Sequence, residues 1–226
     1  MTFAEKIIAF NKELDIPKGI PSSIRMMNPY QENGEAMDLS ASFYRKFYND
    51  RNPRKLILGI NPGRLGAGLT GIPFTDTQRL IENCGISTKI KTYEPSAVFV
   101  YEMIAEYGGA EAFYADCFFN SVCPLGFVKI DAKGREKNLN YYDEKQLEER
   151  MTSYILASLE KLIKLDVVRE RVICLGTGKN FKFLSKINRI HRFFNEIIPL
   201  EHPRYIMQYR SKEKQQYIRK YLEVLK

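Results

Sequence analysis

Two short segments carry side chains able to do chemistry. Gly59-Ile60-Asn61-Pro62-Gly63-Arg-Leu-Gly66-Ala-Gly68-Leu-Thr70-Gly71-Ile-Pro73-Phe74 sets one amide, Asn61, among five glycines and two prolines. Proline fixes φ, while glycine admits positive φ and close approach by a ligand. Such a loop is shaped, and it can aim Asn61 and backbone N–H groups into one cavity. Glu201-His202-Pro203-Arg204 supplies an imidazole. A neutral imidazole with one N–H can donate to an anion, and an amide oxygen can hold a water without being a strong base. A P-loop fails on detail, because G-x-x-x-x-G-K-[ST] is absent. His191, inside Asn-Arg-Ile-His-Arg-Phe-Phe, lacks a comparable setting and reads as structural.

The elements that must position these groups follow from periodicity. Lys55-Leu-Ile-Leu-Gly-Ile60 is nearly continuous in apolar residues, as expected of a central parallel strand covered on both faces. Asp116 to Val122, Arg171 to Gly176 and Ile197 to Glu201 read the same way. Helical stretches lie between them, the clearest being Asp143 to Ile163, with Leu147, Met151, Tyr154, Ile155, Leu159 and Leu162 on one face. Phe3, Ile7, Phe10 and Leu14 stripe a first helix, and Leu39, Phe43, Tyr44, Phe47 and Tyr48 a second that ends at Asn52-Pro53. Strands alternating with helices predict an α/β fold, a three-layer α/β/α sandwich around a four-stranded parallel sheet, in one domain over residues 1–226. Ligands of such sheets bind at the carboxyl ends of the strands, where Asn61 and His202 both fall.

Composition narrows the setting. The 226 residues are 44% hydrophobic, enough for a sizeable core without disulfide or metal staples. No window approaches 18 uninterrupted apolar residues, so neither a membrane span nor a signal peptide is expected. Cys84, Cys117, Cys123 and Cys174 show no C-x-x-C spacing, which predicts reduced thiols, a cytoplasmic protein and no metal site. The net charge is +8, and the last 25 residues hold seven lysines and arginines against two glutamates, a bias toward a polyanion.

Gly59-Ile-Asn61-Pro-Gly63, Thr70-Gly-Ile-Pro-Phe74, Cys117-Phe-Phe-Asn120-Ser121-Val-Cys123-Pro-Leu125 and His202-Pro203 occur in that order. Together they resemble the single-strand-selective monofunctional uracil-DNA glycosylase (SMUG) family of the uracil-DNA glycosylase superfamily, from about Asn28-Pro29-Tyr30 to the C-terminus. The resemblance implies a uracil-DNA glycosylase-like fold and a monofunctional, cofactor-independent enzyme of base excision repair. Its partner would be DNA carrying a deaminated base, and it would act as a monomer, nucleoid-associated if the source is bacterial. It implies that Asn61 holds the attacking water and that His202 faces the O2 side of the leaving base. Gly63, with Ile60 beside it in the pocket, leaves room beside C5, and Phe74 stacks on the base. The segment after His202 becomes a wedge holding flipped DNA, with Pro203, Arg204, Tyr205 and Arg210 at the duplex and Lys212 and Lys214 meeting phosphates. On residues alone, Tyr205, Met207 and Tyr209 also fit one side of an extended segment packed on the core.

Two positions depart from the family pattern. Ser121 stands where the family has an Asn that reads the base edge, and Asn120 sits one residue earlier. Neighbours on a strand face opposite ways, so only one enters the pocket unless a bulge intervenes. Ser121 inward predicts tolerance of hypoxanthine and xanthine; Asn120 inward predicts strict uracil preference. Arg204 replaces a Ser after His-Pro. No motif places a Schiff-base lysine, although Lys89, Lys91 and Lys129 remain candidates by type. Two alternatives share the same residues: a hydrolase of free nucleosides or nucleotides, and a non-catalytic binder of damaged or single-stranded DNA.

Overall fold

The computed structural model describes residues 1–131 and 133–226. Its centre is a parallel sheet of four strands, β2 (Arg54–Gly59), β3 (Cys117–Ser121), β6 (Val167–Leu175) and β7 (Glu196–Leu200), in the order β3-β2-β6-β7. These are the four runs expected from the sequence. β6 starts earlier than its apolar run, because Val167 and Val168 pair with Arg54 and Lys55 before a bulge passes over Arg169, Glu170 and Arg171. The charged interruption hides the strand's first half.

A second sheet was not foreseen. β1 (Ile24–Met27), β4 (Gly126–Ile130) and β5 (Glu136–Leu139) pair antiparallel in the order β1-β4-β5. It abuts the glycine-rich loop so closely that a Cβ on Gly126 would stand 2.6 Å from the Pro62 carbonyl oxygen.

Helices cover both faces of the parallel sheet. They are α1 (Phe3–Lys12), α2 (Pro29–Glu32), α3 (Gly34–Phe47), α4 (Ala67–Thr70), α5 (Thr77–Glu82), α6 (Pro95–Tyr107), α7 (Ala110–Asp116), α8 (Lys145–Leu162), α9 (Lys179–His191), α10 (Pro203–Tyr209) and α11 (Lys214–Leu225). The stripes read for α1, α3 and α8 are buried, with Tyr154 half-buried, and Phe3, Tyr44 and Tyr48 from the first two pack against Phe118 of β3. Beneath them Arg54 is fully buried, its guanidinium paired with Asp50 and bonded to the Tyr114 carbonyl, so its charge is compensated. Gly66 to Gly71 has G-x-G-x-x-G spacing, but it lies well past the end of β2 and forms the short α4, not the strand-to-helix turn of a dinucleotide fold.

The segment after His202 is a helix and not an extended strand. Pro203 takes the first helical position, where its missing N–H costs nothing, and the His202 side chain caps the turn. Ile206 is buried, while Tyr205 and Tyr209, one turn apart, are exposed side by side with ring centroids 5.5 Å apart.

Candidate active site

A cleft of about 650 Å³ opens at the carboxyl ends of β2, β3 and β7. Ile60, Asn61, Gly63, Phe74, Ser121 and His202 all line it, so residues distant in sequence converge on one cleft. A smaller depression of about 380 Å³, bounded by Lys55, Arg171 and Glu196, lies at the opposite ends of the strands.

Asn61 is held at both ends of its amide by the connection between β5 and α8. Nδ2 donates to the Leu139 carbonyl at 3.2 Å, and Oδ1 accepts the Tyr141 N–H at 3.1 Å. A backbone N–H needs an acceptor and a carbonyl needs a donor, so the amide cannot flip. One lone pair of Oδ1 is occupied and the other is left for a water. Tyr141 is fully buried, and its hydroxyl donates to Oδ1 of Asn180 on α9, whose Nδ2 binds the Leu175 carbonyl at 3.0 Å. The amide is thus tied through Tyr141 to the end of β6.

His202 caps α10 through its side chain. Nδ1 accepts the Arg204 N–H at 3.1 Å, which places the ring proton of the neutral form on Nε2. Burial, reinforced by the neighbouring Arg204 charge, pushes its pKa down to about 4. The imidazole is therefore neutral at physiological pH, an N–H donor and not a cation. Glu201 is pinned by α11, through Lys220 and through the Tyr221 hydroxyl on its carbonyl, and this fixes where the following His202 begins.

Phe74 faces His202 at 5.6 Å between ring centroids and Phe119 at 5.2 Å. Its φ of 53° is left-handed, a conformation costing about 1–3 kcal/mol for a bulky residue and found most often at functional sites. A Cβ on Gly59 would come within 3.2 Å of the Phe74 ring, so the glycine that closes β2 makes its seat.

Ser121, at the end of β3, lines the cleft and Asn120 does not. The strand continues without a bulge, Asn120 pairing with Leu58 and Ser121 with Gly59, and Oδ1 of Asn120 accepts the Ser121 N–H at 2.7 Å. In this register Asn120 is turned away from the cleft lining. The rim holds Arg204, Tyr205, Gln208 and Tyr209 of α10, with Lys137, Asn138 and Asn140 from the second sheet and its exit. Of the other expected DNA contacts, Pro203 is buried in the first turn of α10, Lys214 is paired with Glu102, and Arg210 is paired with Glu213. Lys212 is exposed but outside the cleft, and His191 stacks on Phe193 far from it. Lys89, Lys91 and Lys129 do not line it either; Lys137 does.

Residues 45–226 match the family model described as the uracil DNA glycosylase superfamily. The chain belongs to the uracil-DNA glycosylase superfamily. Wild-type Pedobacter heparinus SMUG2, known from its crystal structure, is 52% identical, with 99% of this chain and 97% of that chain covered and a TM-score of 0.97. No curated protein sequence matches the chain. Within the superfamily the chain is SMUG-like, a monofunctional uracil-DNA glycosylase that hydrolyses the bond between base and sugar in base excision repair. Glycosylases of this superfamily act on uracil in DNA. Among the described residues no helix is long and apolar enough to cross a membrane, and all four cysteines are buried free thiols.

One group in the glycosylase cleft carries no sequence signal. Glu94, just before α6, lines the cleft with its Oε2 buried and unpartnered among the described residues. Burial, with help from the Asp76 carboxylate and against the pull of Arg204, raises its pKa to about 7. Asp76 is itself paired with Arg79. The folded state holds the Glu94 proton where the unfolded chain has lost it, so stability falls as pH rises from about 4.5 to about 7. Glu94→Gln is expected to gain ~1–3 kcal/mol at pH 8 and nothing at pH 4, read from thermal unfolding. The same variant should remove a decline of uracil excision above about pH 7, since ionised Glu94 places negative charge in the cleft that Asn61 and His202 line. Identical pH profiles for the two proteins would contradict this.

Proposed function

We propose that this cleft receives a base flipped out of DNA, and that Asn61 and His202 carry the hydrolysis. Cleaving the glycosidic bond builds positive charge on the sugar and negative charge on the base. Asn61 Oδ1 holds the water that attacks C1′, and His202 Nε2–H donates to O2 of the departing pyrimidine. An amide is a weak base, so the reaction depends more on the leaving group than on the nucleophile. Phe74 stacks on the base, with Ile60 beside it. Gly63 leaves the space beside C5 open; among the described residues other than its chain neighbours, a Cβ there would meet Asn138 Nδ2, at 3.9 Å. Arg204, Tyr205, Gln208 and Tyr209 present guanidinium, amide and aromatic groups to the strand from which the base has swung. The enzyme acts as one domain and as a monomer, in the cytoplasm.

The observation that carries this reading is the convergence of a locked amide and a neutral, tautomer-fixed imidazole on one cleft. Oligonucleotides bearing a single uracil, hypoxanthine or xanthine test it, with alkali revealing abasic sites as strand scission. Scission is expected with each of the three. Release of uracil from free deoxyuridine without scission of DNA would instead mark a nucleoside hydrolase, and binding without scission a non-catalytic protein.

The range beyond uracil rests on Ser121. A short hydroxyl that both donates and accepts discriminates less than an amide and leaves more volume. Ser121→Asn is expected to lower purine excision at least tenfold relative to uracil. Purine excision undiminished in that variant would remove the basis for the wider range.

A further inference from the structure

Asn138 sits in β5 opposite Val128, and its side chain reaches the loop after β2. Oδ1 accepts the Arg64 N–H at 3.1 Å. That donor requires the oxygen on its side, so Nδ2 is turned the other way. It points to the open space above Gly63, 3.9 Å from where a Cβ on that glycine would stand. Among the described residues Nδ2 donates to no protein acceptor. An amide whose orientation is fixed, with its donors unused, therefore faces the part of the cleft beside C5 of a bound pyrimidine.

A purine entering by the same glycosidic nitrogen places C8 and N7 where uracil has C6 and C5. At this point uracil offers a C–H and a deaminated purine offers a lone pair. We propose that Asn138 is a specificity-determining residue whose Nδ2–H donates to N7 of flipped-out hypoxanthine or xanthine. The inference rests on the base pocket proposed above and names the group that reads its purine substrates. It also supplies the amide that β3 lacks, from the opposite wall of the cleft.

The donor acts on the chemistry as well as on binding. When the C1′–N9 bond breaks, its electron pair leaves with the purine and spreads over the imidazole ring, N7 included. The water oxygen bonds to C1′ and releases a proton to solvent, and the purine anion takes one up. A hydrogen bond at N7 strengthens as that charge grows, so it lowers the barrier and does not merely tighten the ground state. Uracil spreads its charge over N1, O2 and O4, and its C5 carbon accepts no hydrogen bond.

Single-turnover excision of uracil, hypoxanthine and 7-deazahypoxanthine from otherwise identical oligonucleotides tests the proposal with wild type, Asn138→Ala and Asn138→Asp. The Asp variant keeps an acceptor for the Arg64 N–H and loses the donor, and thermal unfolding reports whether either variant is misfolded. The hypoxanthine-to-uracil rate ratio is expected to fall at least tenfold in both variants. Replacing N7 by C–H in the substrate should cost the wild type at least tenfold more than it costs Asn138→Ala, a cycle that cancels the intrinsic slowness of the deaza base. A ratio changed less than twofold, a parallel fall on all substrates, an equal deaza penalty, or a wild type without hypoxanthine excision overturns the proposal. Failure of the pocket itself shows separately, as uracil excision that survives Asn61→Ala and His202→Ala.

Discussion

His202→Ala is expected to slow uracil excision by about two orders of magnitude under single-turnover conditions, while binding to an abasic-site duplex stays largely intact. The loss corresponds to ~3 kcal/mol, typical of removing one preorganised donor from a developing anion. Two features of the fold set that donor in advance. Arg204 N–H occupies Nδ1 and so assigns the proton to Nε2, and burial keeps the ring neutral. The pH dependence follows. An ordinary histidine would charge near pH 6.5, giving excision an acid limb there; His202 keeps its neutral form down to about pH 4. Between those values the unfolded chain binds a proton that the folded chain refuses, so stability from this group is full above about pH 6.5 and is lost as pH falls through about 4. The variant also removes a helix cap, at a cost of about 1 kcal/mol in thermal stability, which a melting curve separates from the kinetic effect.

Asn61→Ala is expected to reduce excision at least tenfold, again with abasic-duplex binding retained. A held water loses its acceptor, and the entropy of placing it must be met at each turnover. Truncation also leaves the Tyr141 N–H and the Leu139 carbonyl without their partner, which costs about 1–3 kcal/mol of stability. Comparing rates at a temperature well below both melting points keeps the two consequences apart. A variant with wild-type rate at saturating enzyme would assign the water to some other group.

The sequence carried the parts of this site that lie on the parallel sheet. Three of its four strands end in residues that line the cleft, and their apolar runs are dense enough to read without a structure. It did not reveal the wall made by the second sheet. Glu136-Lys-Asn-Leu139 is polar, lacks the period-two alternation of a half-buried strand, and pairs with β4 along Ile130 to Phe127. The partners of Asn61 and the amide of Asn138 were hidden with it. The helix α10 is hard to read for another reason. Tyr205, Met207 and Tyr209 fit a period of two, while Ile206 buried between Tyr205 and Tyr209 on the outer face fits a helix. Seven residues cannot choose between those periods, and the cap from His202 with Pro203 at the first position chooses the helix. Glu94 has no motif around it at all. Its raised pKa comes from burial beside Asp76, a tertiary neighbour distant in sequence.

A crystal structure of the enzyme with uracil and an abasic oligonucleotide puts the central claim to the most direct test. The base is expected between Phe74 and the opposite wall, with His202 Nε2 within about 3 Å of O2 and a water on Asn61 Oδ1 facing C1′. A base lodged elsewhere, or an imidazole presenting Nδ1–H to it with the Arg204 N–H released, would contradict it.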